Sequence, residues 1–439
     1  MDLLFDLFLF LTAMLVCLVR DYGLYWALSL GLVLFSVAGL RRGCSLREIA
    51  KMAWSKMPKT MIVLRILFLI GILTGLWRSC GTIAFFICCG VRAISPPLFV
   101  LLAFLLTALL SYALGTSFGV ASTAGVVLMA LARSGGVDPL IAAGAVLSGT
   151  YFGDRSAPTS SCASLVAALT DTELYRNVRQ MHRTALLPYA LCLGFYTFLS
   201  LRHPLVAADE TLLGALNAQF GMSLWTLLPA AVMLVLPLLR VPIWIAMTAS
   251  GAAAFAVSVL VQGAGVWETL RVCVLGYAPE GALAGVLTGG GLISMLTVFV
   301  MLPLASMMGG VLEGIGALDG AQEKLAALSG KLGLLPTTSL LSLLCSMVLC
   351  NQTIVLIMLQ QMMGRVYRDA GRSNEEFAMD IANSGVMIAG LVPWCIACAV
   401  PLQMLEVSAK ALIYALLMYA IPICYLLTKQ WYYPKGERT

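Results

Sequence analysis

The sequence predicts an all-α polytopic membrane protein, and its composition, segment lengths and internal repeat each support this fold class. Of its 439 residues, 61% are hydrophobic and only 11% are charged, and the mean hydropathy is +0.95. A soluble domain needs roughly 25% charged residues to cover its surface. Apolar segments near 2–19, 22–40 and 60–77 have the length of about 20 residues that a membrane-spanning helix needs.

Basic residues between the apolar segments predict the orientation of the chain. Short loops rich in Lys and Arg remain on the cytoplasmic side of a membrane. By this rule the cytoplasmic segments are 41–59, 171–183, 361–374 and the tail 429–439, and the external segments are 202–221 and 276–281. The N-terminus, one span before 22–40, is also expected to be cytoplasmic. The net charge of +6 therefore comes largely from basic residues in loops that set the orientation of the chain in the membrane. We expect no nucleic-acid partner.

An internal repeat divides the chain into two copies. The matching pairs are Gly75 with Gly310, Gly81 with Gly316, Thr116 with Asn351, and Pro158 with Pro393, and each pair is separated by 235 positions. Landmarks that recur at one separation indicate a duplication. We predict the first copy at 1–205 and the second at 222–428, with about five spans in each.

Each copy is predicted to hold a helical hairpin and one interrupted helix. The hairpins are 98–132 and 336–368, and the interrupted helices are 139–169 and 377–400. The first interruption is the polar stretch GTYFGDRSAPTSS at 149–161, which would cost several kcal/mol if it faced hydrocarbon. The loop charges require the two copies to run in opposite directions. Inverted repeats with interrupted helices are typical of secondary transporters.

Polar residues at the hairpin tips and helix breaks are candidates for a transport site. A broken helix leaves carbonyl groups that suit a desolvated cation and N–H groups that suit an anion. The candidates are Thr116, Ser117, Gly153, Asp154, Ser160 and Ser161 in the first copy, and Asn351, Gln352, Thr353, Asn383 and Ser384 in the second. The alternative is that the small residues only permit close helix packing and that Pro marks a kink.

The charged candidates have competing interpretations. An intramembrane carboxylate such as Asp154 can bind a cation when it is ionised and hold a proton when it is neutral, but Arg155 could instead pair with it as a structural couple. Arg78 and Glu313 occupy equivalent positions with opposite charge, and could form a gate or proton relay or anchor span ends at the interface. No His lies in a predicted span and no metal-ligand cluster occurs in the sequence, so we expect no metal site and no enzymatic activity.

The sequence resembles the NhaC family of sodium/proton antiporters over most of its length. The similar segments, in family order, are LWRSCGTIAFFICCG, GTSFGVASTAG, AAGAVLSGTYFGD, GGLISM, GGVLEGIGAL and LVPW. The resemblance implies an all-helical secondary transporter of the bacterial inner membrane that exports sodium against inward proton flow. It also implies that the coupling residues lie at the helix breaks. The transported Na+ and H+ are the ions that it requires, and no bound cofactor is expected. The resemblance allows a homodimer.

The chain departs from the family pattern at several acidic positions. Ser161 and Asn351 stand where the family has Asp, Ala382 and Asn383 replace a Glu-Asp pair, and Cys395 replaces an Asn. Removing carboxylates from a low-dielectric site forfeits several kcal/mol of attraction for a dehydrated cation. Two functions therefore remain open. The first is NhaC-like exchange of a monovalent cation for protons through Asp154, and the second is coupled transport of a small organic solute, an amino acid or a carboxylate, bound by neutral residues and helix N-termini.

Overall fold

A computed structural model describes residues 2–20, 22–93, 96–205, 210–239, 241–316 and 321–433. These residues are nearly all helical, and within them the only strand-like pairing is the isolated bridge between Tyr277 and Gly289. The all-α prediction is confirmed. The predicted tail 429–439 is described as far as residue 433, and the remainder lies outside the described residues.

The helices of the first copy fall into three groups. The leading helices are α1 (Asp2–Val19), α2 (Leu24–Arg41), α3 (Leu46–Trp54), α4 (Met57–Ser79) and α5 (Thr82–Ala93). The hairpin contains α6 (Phe99–Leu114), α7 (Ser117–Val120), a π-helical turn (Ala121–Gly125) and α8 (Val126–Ser134). The remaining helices are α9 (Pro139–Ser156), α10 (Ser161–Thr170) and α11 (Leu174–Arg202), and α12 (Glu210–Gln219) lies between the two predicted copies.

The second copy has the same three groups. Its leading helices are α13 (Leu228–Leu238), α14 (Ile243–Leu260), α15 (Val266–Leu275), α16 (Ala284–Leu287) and α17 (Leu296–Gly314), and α18 (Ala321–Leu332) links them to the hairpin α19 (Leu334–Leu349) and α20 (Gln352–Asp369). Then follow α21 (Asn374–Ile381), a π-helical turn (Ala382–Val386), α22 (Met387–Ala389), α23 (Ile396–Met404) and α24 (Leu416–Tyr432). Short 3-10 turns lie at Pro96–Leu98, Leu224–Leu227, Gly281–Leu283, Leu292–Met295 and Ala409–Tyr414.

Within the described residues, six helices are long and apolar enough to cross a membrane. They are Leu24–Arg41, Thr60–Ser79, Ser117–Ser134, Leu174–Arg202, Ile243–Leu260 and Leu292–Gly314, and shorter apolar helices lie at Phe5–Val19, Phe99–Leu114, Leu224–Pro237 and Leu334–Leu349. The chain is therefore a multi-pass membrane protein. The first limb of each hairpin, α6 or α19, has 16 residues and a length of about 24 Å. Because the hydrocarbon core is about 30 Å thick, we expect both hairpin tips to lie inside the bilayer.

The separation of 235 positions relates helix bounds as well as sequence landmarks. Both ends of α6 correspond to both ends of α19 at this separation. The first residues of α9 and α10 correspond to the first residues of α21 and α23, and the last residue of α4 corresponds to the last residue of α17. It also relates residues with left-handed backbone, pairing Gly81 with Gly316, Gly115 with Cys350, Gly136 with Gly371, and Asp171 with Glu406. A left-handed residue ends a helix because the chain cannot continue its helical hydrogen bonds there. The corresponding segments of the two copies therefore stop and turn alike.

The long helix α11 separates the ends of the repeat-related helices. Leu205, just past the end of α11, packs against Gly135, which follows α8. Arg176, in the first turn of α11, forms an ion pair of 3.1 Å with Glu375, which follows α20. Since α11 has 29 residues and spans about 43 Å, α8 and α20 end at opposite ends of this helix. An inverted repeat requires this arrangement, and the membrane side that each end faces remains a prediction.

Candidate functional site

A cavity of about 160 Å³ lies between the two hairpin tips and the two helix breaks. Its lining residues are Val63, Thr116, Ser117, Phe118, Asp154, Ser161, Cys162, Asn351, Gln352, Thr353, Ile396 and Ala397. They come from segments spread over most of the chain. Seven of the predicted site residues line this one cavity: Thr116, Ser117, Asp154, Ser161, Asn351, Gln352 and Thr353.

The hairpin tips reach the cavity because each first limb ends at a left-handed residue and a capping residue then starts the second limb. Gly115 and Cys350 have φ of 70° and 54°. Thr116 Oγ1 accepts a hydrogen bond from the N–H of Gly119 at 3.4 Å, and Asn351 Oδ1 accepts one from the N–H of Ile354 at 3.3 Å. Thr and Asn are favoured N-caps because their side chains satisfy free N–H groups of the first turn.

The helix breaks place two further helix starts at the cavity. In the first copy, α9 ends at Ser156, and Ser160 caps α10 by accepting hydrogen bonds from the N–H groups of Cys162 at 3.1 Å and Ala163 at 3.3 Å. The Ser160 hydroxyl also donates to the Asp154 carbonyl. In the second copy, the break covers 390–395, and the N–H of Ile396 donates to the Cys350 carbonyl at 2.9 Å.

Asp154 is the only charged residue among the described residues that line the cavity, and it is 6% exposed. Cys162 Sγ lies 3.8 Å from Asp154 Oδ2, and the amide and hydroxyl of Ser117 also interact with this carboxylate. Cys162 Sγ donates to Gln352 Oε1 at 3.3 Å, and Gln352 Nε2 donates to the carbonyl of Val386 at 2.9 Å. The carboxylate is thus surrounded by neutral donors and oxygen atoms from both copies.

The size and chemistry of the cavity suit a small ion. Because a water molecule occupies about 30 Å³ of liquid, the cavity has room for about five waters or a monovalent cation with part of its hydration shell. One carboxylate together with hydroxyl and amide oxygens forms a hard oxygen donor set. The same carboxylate binds a proton when it is neutral.

Comparison with known proteins identifies the family. Residues 149–428, which include Asp154, the second hairpin and both helix breaks, match the Na+/H+ antiporter family. The chain belongs to this family. It is 30% identical over 353 residues to an uncharacterized Na+/H+ antiporter of Haemophilus influenzae, an alignment that covers 77% of this chain and 75% of that protein.

Two further relatives carry different names. The chain is 25% identical over 336 residues to the Na+/H+ antiporter NhaC of Alkalihalophilus pseudofirmus, covering 75% of this chain and 73% of the relative. It is also 25% identical over 395 residues to the malate-2H+/Na+-lactate antiporter of Bacillus subtilis, covering 86% and 84%. The resemblance to the NhaC family drawn from the sequence motifs is confirmed.

Four predicted site residues of this antiporter lie outside the cavity lining. Gly153 packs against the backbone of Ser111, where it permits close approach of α6 and α9. Ser160 acts as the cap of α10. Asn383 Oδ1 accepts hydrogen bonds from Arg155, and Ser384 Oγ donates to the Asp380 carbonyl. Asn383, a candidate for the same transport site as Asp154, Thr116 and Asn351, therefore does not line the cavity that those three residues line.

Arg155 does not form the structural couple with Asp154 that the sequence left open. Its guanidinium is fully buried, and it donates from Nε to Asn383 Oδ1 at 3.0 Å and from Nη2 to Thr184 Oγ1 at 2.9 Å and the Met181 carbonyl at 3.1 Å. These partners lie on α11 and on the π-helical turn of the second copy. Arg155 therefore holds these segments together and does not form an ion pair with Asp154.

Arg78 and Glu313 also lie outside the cavity lining. Arg78, at the end of α4, is 3% exposed and donates from Nη2 to Glu406 Oε2 at 2.8 Å. This burial excludes anchoring at the membrane interface. Glu313, at the end of α17, lies 2.6 Å from Lys56 Nζ and its side chain is 42% exposed. Neither residue lines the cavity, so any role as a gate must operate away from Asp154.

A second buried acidic residue, Asp380, was missed in the sequence. It is fully buried and accepts hydrogen bonds from the hydroxyl of Tyr425 at 2.9 Å, from Tyr367 and from Lys429. Lys429 Nζ also lies 2.8 Å from Glu376 Oε1. Arg372 Nη1 lies 3.5 Å from Glu376 Oε2, so the two acids Asp380 and Glu376 meet two bases. This group holds α24 against α21 and lies outside the cavity lining.

Proposed function

We propose that this member of the Na+/H+ antiporter family exchanges a monovalent cation, Na+ foremost, for protons at the cavity around Asp154. The observation that carries the proposal is that both hairpin tips and both helix breaks surround a small cavity with one buried carboxylate. A cation is bound when Asp154 is ionised, with hydroxyl and amide oxygens completing its shell. A proton is bound when Asp154 is neutral.

The single carboxylate explains why the two ions exchange rather than leak. A carboxylate that is charged and empty in a low-dielectric site is unfavourable by several kcal/mol. Either Na+ or H+ removes that cost, and the two cannot occupy the carboxylate together. We expect the loaded forms to change conformation readily and the empty ionised form to change slowly, which couples the two fluxes.

The finer placement of the protein follows from the loop charges. We infer that it resides in a bacterial inner membrane with both termini in the cytoplasm. The exchange needs only the transported ions and no bound cofactor. A homodimer is compatible with the proposal, since the cavity is completed within one chain.

A second candidate function is exchange of a small carboxylate. It is favoured by the similarity to a malate-2H+/Na+-lactate antiporter and by the starts of α10, α20 and α23 at the cavity, because helix N-termini attract anions. The volume of about 160 Å³ limits such a solute to a small one in this conformation. This candidate shares the fold and the cavity with the first.

The decisive experiment measures the decay of a pH gradient in proteoliposomes when Na+, Li+ or K+ is added, beside counterflow of labelled lactate and malate. The Asp154→Asn variant should lose cation-dependent proton movement. Asp138→Asn is the matched control, because Asp138 caps the start of the same helix, accepting from the N–H of Leu140 at 2.8 Å, and Asn caps equally well. Wild-type protein without cation-dependent proton flux, but with carboxylate counterflow, would replace the first proposal with the second.

A further inference from the structure

A partly buried group of charges joins separate segments at one end of the repeat-related helices. Glu406 Oε2 accepts hydrogen bonds from Arg78 Nη2 at 2.8 Å and Arg133 Nη1 at 3.3 Å, and Glu406 Oε1 accepts one from the N–H of Gly290 at 3.1 Å. Arg133 Nη2 also donates to the carbonyl of Glu406 at 3.2 Å. We call Arg78, Arg133, Gly290 and Glu406 the Glu406 cluster. It ties the ends of α4, α8 and α23 to the loop before α17.

The repeat places a corresponding set of residues at the other end of α11. The counterparts, 235 positions away, are Asp171 for Glu406, Arg368 for Arg133, Glu313 for Arg78 and Ser55 for Gly290. Asp171 and Glu406 have φ of 52° and 54°, so the backbones correspond as well as the numbering. Yet both Asp171 and Arg368 are exposed, and neither forms an ion pair with any residue that the structure describes.

The helices that lead from the cavity to these two sets also differ in exposure, and the helix that ends at Asp171 is the more exposed. On α10, which runs from the cavity to Asp171, Ser161, Ser164 and Ala168 are exposed. Their counterparts on α23, which runs from the cavity to Glu406, are the buried Ile396 and Ala399 and the partly buried Gln403. The α10 side of the cavity is therefore more exposed than the α23 side.

We propose that these two sets form an exchange gate. The Glu406 cluster closes one route to the Asp154 cavity in the conformation described here, and in the opposite conformation Asp171 pairs with Arg368 to close the other route. The gate rests on the proposed function, because only a transporter needs to close its two routes in turn. One ion-pair cluster is released as another forms, so the two conformations stay close in free energy, as exchange requires.

The sign change between Arg78 and Glu313 fits this gate. With Glu313 in place of an Arg, the closed second route would bring two acids together at Asp171 and Glu313. Lys56, whose Nζ lies 2.6 Å from Glu313 Oε2, supplies the cation that Arg78 supplies in the first route. Ser55 is uncharged, so the second set together with Lys56 contains two acids, Asp171 and Glu313, and two bases, Lys56 and Arg368. It therefore closes without a net charge.

Accessibility of a single introduced thiol tests the gate. Ser161 lines the cavity on α10, and the Ser161→Cys variant would be treated with a membrane-impermeant maleimide. Labelling is measured in right-side-out vesicles and in inside-out vesicles. The parent chain gives the baseline labelling of the native cysteines. Labelling should occur from the Asp171 side. Adding Glu406→Gln should raise labelling from the opposite side about tenfold, which corresponds to about 1.4 kcal/mol of shift between the conformations. Unchanged labelling from that side in a folded Glu406→Gln protein would overturn the proposal.

A charge exchange between the exposed Asp171 and Arg368 provides a second test. Asp171→Arg and Arg368→Asp should each slow ion exchange, and the double variant should recover most of the lost rate. Asp369→Asn, at the exposed neighbour of Arg368, is the control and should leave the rate unchanged. A double variant as slow as the slower single variant would contradict the gate. Labelling does not depend on which ion is carried, so a failed sodium assay with the expected labelling would refute the ion assignment alone.

Discussion

Asp154 and Gln352 are bridged by one thiol, since Cys162 Sγ lies 3.8 Å from Asp154 Oδ2 and 3.3 Å from Gln352 Oε1. Asp154 belongs to the first copy and Gln352 to the tip of the second hairpin. The bridge therefore connects the titratable group to the partner copy through a residue of the first turn of α10. A change in the charge of Asp154 therefore alters the contacts of the thiol that touches the second hairpin.

Cys162→Ala should lower the apparent affinity for Na+ by at most about tenfold while exchange continues, because an ordinary hydrogen bond contributes about 0.5–1.5 kcal/mol and a thiol is a weak donor. The measurement is the Na+ concentration for half-maximal proton flux in proteoliposomes. Cys192→Ala is the control, since Cys192 is also buried but lies on α11 outside the cavity lining. Equal effects of the two substitutions would show that the thiol bridge is unimportant.

Exchange should be electroneutral, because the cavity has one charged group among its described lining residues. One Na+ moving one way for one H+ moving the other carries no net charge. The test clamps the membrane potential with K+ and valinomycin at zero and at about 100 mV, and measures the Na+ gradient at which proton flux stops. One net charge per cycle would shift that gradient about fiftyfold, since about 2.3 kcal/mol is involved per charge at this potential. Such a shift would require a second charged site.

The hairpin tips and Asp154 could be predicted from the sequence because short-range chemistry determines them. Thr116 and Asn351 are capping residue types at equivalent positions, and a polar break in an apolar run must avoid lipid. The repeat therefore predicted which segments meet. Cys162 was overlooked because a cysteine in an apolar segment has no distinctive pattern, although it lies one residue after Ser161 in the first turn of α10.

The misplaced candidates in the second copy have a specific cause. Asn383 corresponds to Ser148 in the first copy, and both lie about two helical turns before their breaks. The true counterpart of Asp154 is Ala389, and the counterpart of Ser161 is Ile396. The second break thus contributes backbone and apolar groups only. The separation of 235 positions already fixes this register in the sequence, whereas the choice of Asn383 and Ser384 rested on their polarity alone.

Gly153→Ala should reduce the yield of folded protein and leave the Na+ affinity of the folded fraction unchanged. An added Cβ would collide with the backbone of Ser111 and Tyr112, and such overpacking costs about 1–3 kcal/mol. Gly194→Ala is the matched control, because no atom lies within 4 Å of its added Cβ. Yield is measured by size-exclusion chromatography of the detergent-solubilised protein. A normal yield with weakened Na+ binding would return Gly153 to the ion site.

Asn383→Asp should stabilise the protein and leave its ion affinity unchanged. Arg155 is fully buried, and its described partners are the neutral Asn383 and Thr184 side chains and the Met181 carbonyl. An Asp at position 383 would give this guanidinium an anionic acceptor, and hydrogen bonds between charged groups contribute about 1.5–3 kcal/mol. The expected result is a melting temperature a few degrees above that of the wild type in detergent.

Asn383→Leu completes this test, because it removes the acceptor and leaves a buried charge with fewer partners, so it should melt well below the wild type. Both variants should keep the wild-type Na+ concentration for half-maximal flux, since Asn383 lies outside the cavity lining. If Asn383→Asp instead tightened Na+ binding without raising the melting temperature, Asn383 would be part of the ion site in a second conformation. The two measurements together therefore decide whether position 383 serves the ion or the buried arginine.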